Sequence, residues 1–346
     1  MTDNFEVALT ADFLSGGRLL YKDIGLSLLG EAKAVHYRFL DHHTPIVHAN
    51  HLKGIDALIC LASRITADSL SHAGRLVGIA RFGVGYDTVD VQACTDANVA
   101  LFIAAGAVNY SVAEAILTWM LALGHHLIAK DRLTREGRWG EKGQWMGSEL
   151  RHKTIGIIGL GGIGSSLVRL LQPFCVKEVV AFDPFVDPER AASLNVRLAR
   201  LPELLGLSDY VVICCPLTPE TRNLLGPPEL ALMRPTAYLV NAARGGIVNE
   251  NALVDHLKSG NIAGAAIDVF AEEPVYDSNP LCQMDNVILA PHAIAWTDEL
   301  FEEIGCMCCR QVLTLAQGAV PEGLVNKEVC AKPAFIEKLQ RLGERE

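Results

Sequence analysis

The sequence predicts an α/β protein built from two doubly wound parallel sheets. Three observations support this prediction. Short apolar runs alternate with segments long enough for helices, these runs fall into two series along the chain, and a glycine-rich turn joins a strand to a helix in the second series. A chain of 346 residues, half of them hydrophobic, is also long enough for two cores.

The strand candidates are short runs rich in Val, Ile, Leu and Ala with no polar alternation, which is typical of buried parallel strands. The first series comprises residues 7–9, 57–60, 76–80 and 100–103. The second comprises residues 155–158, 179–182, 210–214, 237–240, 265–267 and 287–290. Each series therefore predicts its own sheet.

Two long helices are predicted outside these repeats. The first begins near Ser111, where Ser111 and Glu114 have the spacing of a capping box, and its apolar residues cover most of its circumference. Such a helix is buried, and a second subunit is one candidate for what covers it. The other helix, residues 297–315, follows the last strand and can return the chain to the first domain, which would make that domain discontinuous.

Composition excludes several functions. A formal net charge of −10 predicts no binding to nucleic acid or to an anionic membrane, and the longest apolar stretch, residues 115–123, is too short to span a bilayer. We expect no signal peptide, because no basic segment followed by an apolar one opens the chain. Neither the ten cysteines nor the histidines of residues 36–51 have zinc-site spacing, so we expect reduced thiols, no metal and a cytoplasmic protein.

The glycine-rich turn, residues 159–164, reads Gly-Leu-Gly-Gly-Ile-Gly and lies between a predicted strand and a predicted helix. In this context Gly159 permits a tight turn, and Gly161 lets the backbone approach a pyrophosphate at the helix N-terminus. Gly164 lets the helix pack closely on the strand. The turn therefore predicts a dinucleotide site.

The residue that ends the next strand distinguishes between the two nicotinamide cofactors. Asp183 comes 19 residues after Gly164, where a carboxylate accepts hydrogen bonds from the adenosine ribose and repels a 2′-phosphate. No Arg or Lys follows before Arg190. The sequence therefore favours NAD over NADP.

Three residues predict the chemistry. Arg244, Glu273 and His292 each follow a strand of the second series, so they should meet beyond the carboxyl ends of those strands. An Arg offers a planar fork to a carboxylate or carbonyl, a His transfers a proton, and a carboxylate orients that His and favours its protonated form. Together they suit the reduction of a 2-keto acid.

At these residues the chain resembles the D-isomer-specific 2-hydroxyacid dehydrogenase family, most closely its phosphoglycerate-type members. The resemblance covers roughly residues 50–320. The motifs that carry it are residues 83–87 (Gly-Val-Gly-Tyr-Asp), 145–150 (Trp-Met-Gly-Ser-Glu-Leu), 216–221 (Pro-Leu-Thr-Pro-Glu-Thr), 241–248 and 268–274.

The resemblance implies a role for each matching position. Arg244 would hold the substrate, His292 would be the acid and base, and Glu273 would pair with His292. The implied cofactor-binding residues are Gly159, Gly161, Gly162, Ile163, Gly164, Asp183, Cys215, Pro216, Thr221, Ala242, Ala243 and Asp268, the last at the nicotinamide amide. The implied substrate-binding residues are Arg81, Gly83, Val84, Gly85 and Trp296, with backbone N–H groups around Val84 and Gly85 gripping the carboxylate.

The resemblance also implies an architecture. A Rossmann cofactor domain (106–292) would be inserted in a flavodoxin-like substrate domain (1–105 and 293–330), with residues 331–346 as a C-terminal tail. It further implies a homodimer joined through the long helix at Ser111 and an arm carrying Trp139 and Trp145. The small-molecule partner would be a 2-hydroxy or 2-keto acid of the phosphoglycerate, glycerate, hydroxypyruvate or glyoxylate type.

Several departures from the family pattern bear on the cofactor and the substrate. Gly162 stands where the family usually has an Arg, so one pyrophosphate contact is missing. Residues 60–63 read Cys-Leu-Ala-Ser where a phosphoglycerate enzyme would have Arg-Ser-x-Thr, although Arg81 is retained. Trp296 places a bulky ring where a small residue is frequent. The Arg missing from residues 60–63 and the added ring of Trp296 predict a smaller or differently shaped acid.

Two other functions fit parts of the pattern. A dinucleotide-sensing binding protein, like the dehydrogenase-related transcriptional corepressors, can keep the same three residues without physiological turnover. The compact chain, without long polar tails, favours the enzyme. Formate dehydrogenases share the fold but have Gln at the position of Glu273, so we set them aside.

Overall fold

A computed structural model describes residues 4–344. The chain forms two compact units. The first contains the described residues up to Val108 and those from Trp296 onward, and the second is Asn109–Ala295. Each unit has its own parallel sheet, which confirms the predicted fold class. The sequence placed the boundaries at 105/106 and 292/293.

The sheet of the first unit has five parallel strands, and a separate antiparallel pair joins Leu14–Ser15 to Arg18–Leu19. In spatial order the five strands are Val35–Phe39, Phe5–Leu9, Ala57–Cys60, Gly78–Arg81 and Ala100–Ile103. The sequence did not predict Val35–Phe39. Because it is an edge strand, its side chains are only partly covered and polar residues alternate with apolar ones, so no continuous apolar run marks it.

The first unit also contains helices. Its α-helices are Leu26–Glu31, Val91–Asp96, Asp298–Ala316 and Pro333–Gly343, and its 3₁₀ turns are Ala11–Phe13, Ala49–Leu52, Asp68–Leu70 and Lys327–Ala331. The sequence predicted a C-terminal tail at residues 331–346, and the structure corrects this prediction. Its described part contains a helix that buries Phe335 and Leu342 in the first unit, because these apolar side chains share one helix face.

The second unit has a seven-stranded parallel sheet. In spatial order its strands are Val196–Leu198, Glu178–Phe182, Thr154–Ile158, Tyr210–Ile213, Tyr238–Asn241, Gly264–Ile267 and Val287–Leu289. The chain starts in the third of these, builds outward to one edge and then crosses to the other side. The direction of winding therefore reverses beside Thr154–Ile158, and ligands of doubly wound sheets bind at this reversal. The three-residue strand Val196–Leu198 was not predicted.

The helices of the second unit lie between its strands and before the first of them. They are Asn109–Gly124, Leu127–Arg135, Gly162–Leu171, Pro188–Ser193, Leu201–Leu207, Pro227–Leu230 and Glu250–Lys258, with 3₁₀ turns at Trp139–Gln144, Gln172–Phe174 and Pro280–Gln283.

The long helix is buried as predicted, but its start is not where the sequence placed it. It begins at Asn109, so Ser111 and Glu114 both lie inside the helix and do not form a capping box. The prediction failed because the helix extends two residues further toward the N-terminus than the capping pattern indicates. Ile116 and Met120 are fully buried and belong to the same core as Leu167 of the glycine-turn helix.

Within residues 4–344, no single helix has both the length and the apolar character needed to cross a membrane. Asn109–Gly124 and Leu127–Arg135 pass that test only when taken together, and the pair is bent by 59°.

Candidate active site

The glycine-rich turn follows the central strand of the second unit's sheet. Gly159 has φ +96°, and a Cβ there would lie 2.7 Å from the backbone nitrogen of Cys215. A Cβ on Gly164 would lie 2.4 Å from the carbonyl oxygen of Gly159. Around Gly161, in contrast, a Cβ would meet nothing of the protein within 4 Å. The outer glycines are therefore required for packing, and the middle one leaves open space in front of the turn.

That open space suits a pyrophosphate. Gly161 is the N-cap of helix Gly162–Leu171 and provides no side-chain cap, so the first amides of the helix are left for a ligand. The neighbouring Asp183 is fixed, because its Oδ2 accepts a hydrogen bond from the N–H of Leu160 at 2.8 Å and its Oδ1 one from Phe185 at 2.9 Å. Each carboxylate oxygen retains a lone pair for a ribose hydroxyl. These residues fit NAD.

A second loop borders the glycine turn. Cys215 is half-buried, and burial raises the pKa of its thiol to about 11. Thr221 holds this loop together, because its Oγ1 donates to the carbonyl oxygen of Pro216 at 2.7 Å and accepts from the N–H of Thr218 at 2.7 Å. The hydroxyl of Thr221 thus shapes the loop, whose backbone borders the turn at Cys215.

The loop that carries Arg244 is held by a residue that the sequence did not single out. Asn241, only 3% exposed, accepts a hydrogen bond from the N–H of Ala243 at 3.1 Å and donates to the carbonyl oxygen of Arg244 at 3.1 Å. The guanidinium of Arg244 donates to the carbonyl oxygen of Ala243 at 2.7 Å. Ala242 lies in the same turn, directly after the strand.

Glu273 and His292 form the predicted pair. The Oε2 atom of Glu273 lies 2.9 Å from Nδ1 of His292, and its Oε1 accepts a hydrogen bond from the N–H of Phe270 at 3.0 Å. Partial burial of Glu273 opposes its ionisation, but these hydrogen bonds and the nearby charge of Arg244 outweigh burial and hold the pKa of Glu273 below its ordinary value. An ionised Glu273 therefore orients the imidazole, and Nε2 is the ring nitrogen left for a substrate.

Asp268 positions the loop on which His292 lies. Its side chain is 5% exposed, and its Oδ1 accepts hydrogen bonds from the N–H groups of Ala293 at 2.9 Å and Ile294 at 3.1 Å. The N–H of His292 donates to the carbonyl oxygen of Asp268 at 2.8 Å, and His292 has φ +54°. Burial raises the pKa of Asp268 despite the two amide donors.

In the first unit, the candidate substrate-binding groups include backbone amides. At the end of strand Gly78–Arg81, Gly83 has φ +132°, and a Cβ there would lie 2.7 Å from Nη1 of Arg81, which donates to the carbonyl oxygen of Phe82. Among the described residues, none accepts a hydrogen bond from the backbone N–H of Val84 or Gly85. Two adjacent amides are thus available to an anion.

Trp296 is 54% exposed and belongs to an aromatic cluster of the first unit. Its ring contacts Phe301 edge-on with centroids 5.1 Å apart and Tyr21 with centroids 6.1 Å apart. Tyr21 in turn stacks on Phe301 at 3.9 Å. The indole is therefore held by other rings while about half of it stays accessible.

Sequence reasoning gave no cofactor role to two residues of the second unit's site. Asn241 could have been recognised as a polar residue that ends a buried strand, and Asn109 as one that begins a buried helix. In the described part of the chain, no three His, Cys, Asp or Glu side chains are grouped so that they could hold a metal ion.

Known proteins are similar to this chain in both sequence and fold. The family profile for the D-isomer specific 2-hydroxyacid dehydrogenase NAD binding domain matches residues 117–293. The chain is 39% identical over 293 residues to a glyoxylate reductase of Thermococcus gammatolerans, a match covering 82% of this chain and 87% of that protein. It is 38% identical over 277 residues to a D-3-phosphoglycerate dehydrogenase of Methanocaldococcus jannaschii, covering 80% of this chain but only 52% of that protein.

Among solved structures, a protein from Thermus thermophilus matches with a TM-score of 0.81 and 27% identity, over 92% of this chain and 99% of that one. The profile covers about half of the chain, and the glyoxylate reductase is matched along most of its length. The chain therefore belongs to the D-isomer specific 2-hydroxyacid dehydrogenase family, and its second unit contains the NAD-binding domain of that family.

Proposed function

We propose that this protein interconverts a small D-2-hydroxy acid and its 2-keto acid with NAD as the redox partner. The observation that carries the proposal is the hydrogen bond of 2.9 Å between Glu273 and His292, with the charge of Arg244 close enough to lower the pKa of Glu273. A proton-transferring imidazole, its orienting carboxylate and a cation for the substrate are the groups that reduction of a carbonyl requires.

Each residue has a defined part in this reaction. When NADH is bound, its nicotinamide supplies the hydride for the carbonyl carbon. His292 gives a proton to the carbonyl oxygen. Until that transfer, the carboxylate of Glu273 stabilises the positively charged imidazole. Arg244 binds the carboxylate or the polarised carbonyl.

We infer that the preferred acid carries no phosphate. The loop after strand Ala57–Cys60 has no cation in residues 60–63, and the N–H of Ala62 already donates to Oδ2 of Asp12 at 2.8 Å. A phosphate at this loop would therefore lack that amide and any cation from residues 60–63, with Arg81, which pairs with Cys60 in the neighbouring strand, as the cation that is retained. Glyoxylate and hydroxypyruvate fit this loop better than 3-phosphohydroxypyruvate.

A substrate panel tests the proposal. We expect NADH oxidation with glyoxylate or hydroxypyruvate to exceed that with 3-phosphohydroxypyruvate in kcat/KM by at least about 10-fold, which corresponds to about 1.4 kcal/mol. Equal or better turnover of the phosphorylated acid would refute the substrate inference but leave the enzyme assignment intact. NADH binding without turnover of any of the three acids would instead favour a dinucleotide-sensing binding protein. No feature of the described residues directly supports that alternative.

We also propose that the protein is a homodimer. Several large apolar side chains in one stretch of the second unit are exposed, which is unusual for a monomer of this size. They are Tyr110 (59%), Leu127 (56%), Ile128 (47%), Trp139 (67%) and Met146 (81%). Sedimentation equilibrium should give twice the chain mass, and replacing Leu127, Ile128 and Met146 together by Ser should yield a folded monomer. A monomeric parent protein would contradict this.

A further inference from the structure

The strongest unexplained contact near the glycine turn involves Asn109, the first residue of the long helix. A Cβ built on Gly162 would lie 2.4 Å from Nδ2 and 2.5 Å from Oδ1 of Asn109. Any side chain at residue 162 would therefore collide with this amide. The glycine at 162 and the asparagine at 109 are a coupled pair, since the amide occupies the space that a side chain at 162 would enter.

This amide has an unused hydrogen-bonding capacity. Asn109 is half-buried, and among the described residues its side chain has no hydrogen-bond partner. An Asn carries two donor hydrogens, and keeping them unpaired while partly removed from water is unfavourable. The amide also lies beside the open amides at the start of helix Gly162–Leu171. The position of Asn109 thus suits a ligand that accepts hydrogen bonds at the glycine turn.

We propose that Nδ2 of Asn109 donates a hydrogen bond to the pyrophosphate of NAD and that Gly162 is required to make room for it. The family pattern has an Arg at the position of Gly162 to contact the pyrophosphate. In this chain Asn109, on the long helix, supplies the hydrogen-bond donor instead. Asn109 is a neutral group, so it contributes less charge than an Arg would, but it is fixed by the helix that carries it. The proposal depends on NAD binding by the second unit and not on the identity of the acid.

Ligand binding without turnover tests this proposal. Dissociation constants would be measured by nicotinamide fluorescence for NADH and by calorimetry for ADP and adenosine, which has no phosphate. Asn109→Ala should weaken NADH and ADP by about 10-fold, the range expected for a hydrogen bond to a charged group, and leave adenosine unchanged. Asn109→Asp keeps the size but replaces the donor with a negative charge, so it should weaken NADH by more than Asn109→Ala does.

A double-mutant cycle separates this role from a structural one. Gly162→Ala should weaken NADH binding in the parent protein, because its Cβ displaces the amide, but should have little further effect when residue 109 is Ala. Thr118→Ala, which shortens an exposed side chain on the same helix, is the matched control and should bind NADH normally. Normal NADH binding by Asn109→Asp, equal losses for ADP and adenosine, or additive effects in the cycle would each overturn the proposal. Absence of keto-acid turnover would affect only the proposed function.

Discussion

The two units carry the same type of sheet but place different chemistry at its carboxyl edge. In the second unit, ionisable side chains follow four of the strands: Asp183, Arg244, Asp268, Glu273 and His292. In the first unit, the segment after strand Gly78–Arg81 offers backbone amides at Val84 and Gly85 beside the guanidinium of Arg81. The difference follows from the tasks. Proton transfer needs a titratable side chain of suitable pKa, whereas an anion can be bound by N–H groups that every residue except Pro carries.

The largest expected effect lies in the second unit. His292→Ala should lower turnover by about 10³-fold to 10⁴-fold, because it removes the proposed general acid. NADH affinity should stay within about 3-fold, since the glycine turn and Asp183 are unaffected; a 3-fold change in affinity corresponds to about 0.65 kcal/mol. Steady-state kinetics and NADH fluorescence titration measure the two quantities. Near-parental turnover would show that the proton comes from another group.

A smaller effect is expected for the partner of His292. Glu273→Gln keeps the size of the side chain but removes its negative charge and replaces one of its two acceptor oxygens with an NH2 donor. We expect turnover to fall by about 10-fold to 100-fold. Steady-state turnover by Glu273→Gln equal to that of the parent would indicate that Glu273 acts only in packing.

A matched pair of glycine substitutions compares the two units directly. Gly83→Ala introduces a side chain at φ +132° and against Arg81, so it should destabilise the protein by about 1–2 kcal/mol and raise KM for the keto acid by about 10-fold. Gly161→Ala meets only open space in the protein, so it should leave the melting temperature unchanged and weaken NADH binding instead. Thermal melts, NADH titrations and KM values distinguish them. The same pattern in both variants would contradict the division of roles.

The smallest expected effect concerns stability rather than turnover. Burial raises the pKa of Asp268 above its ordinary value of 3.8, so the folded protein binds this proton more tightly than the unfolded chain does. The free energy of unfolding should therefore fall as pH rises from that ordinary value toward the raised one. Asp268→Asn can still accept the two amides and cannot ionise, so its stability relative to the parent should increase over the same window. Denaturant melts at several pH values test this, and a difference independent of pH would disprove it.

The sequence was informative where a residue type or a spacing is itself the signal. The glycines of the turn, Asp183 and the residues Arg244, Glu273 and His292 all lie at strand ends of one sheet, where the spacing placed them. The free amides of residues 84 and 85 left only indirect signals, through their glycine-rich motif. Nothing in the residue type of Asn109 indicates that it lies over Gly162.

Local patterns alone determined the βα alternation, the dinucleotide turn and the family, because strand burial and the glycine requirements of the turn are properties of short segments. Tertiary structure decided the rest. In the folded structure the long helix begins at Asn109, and a packed helix lies where the sequence predicted a tail. Asp268 holds the loop of His292, and Asn241 holds the loop of Arg244. Each of these depends on a contact between residues remote in sequence or on burial, and burial becomes known only when the chain is folded.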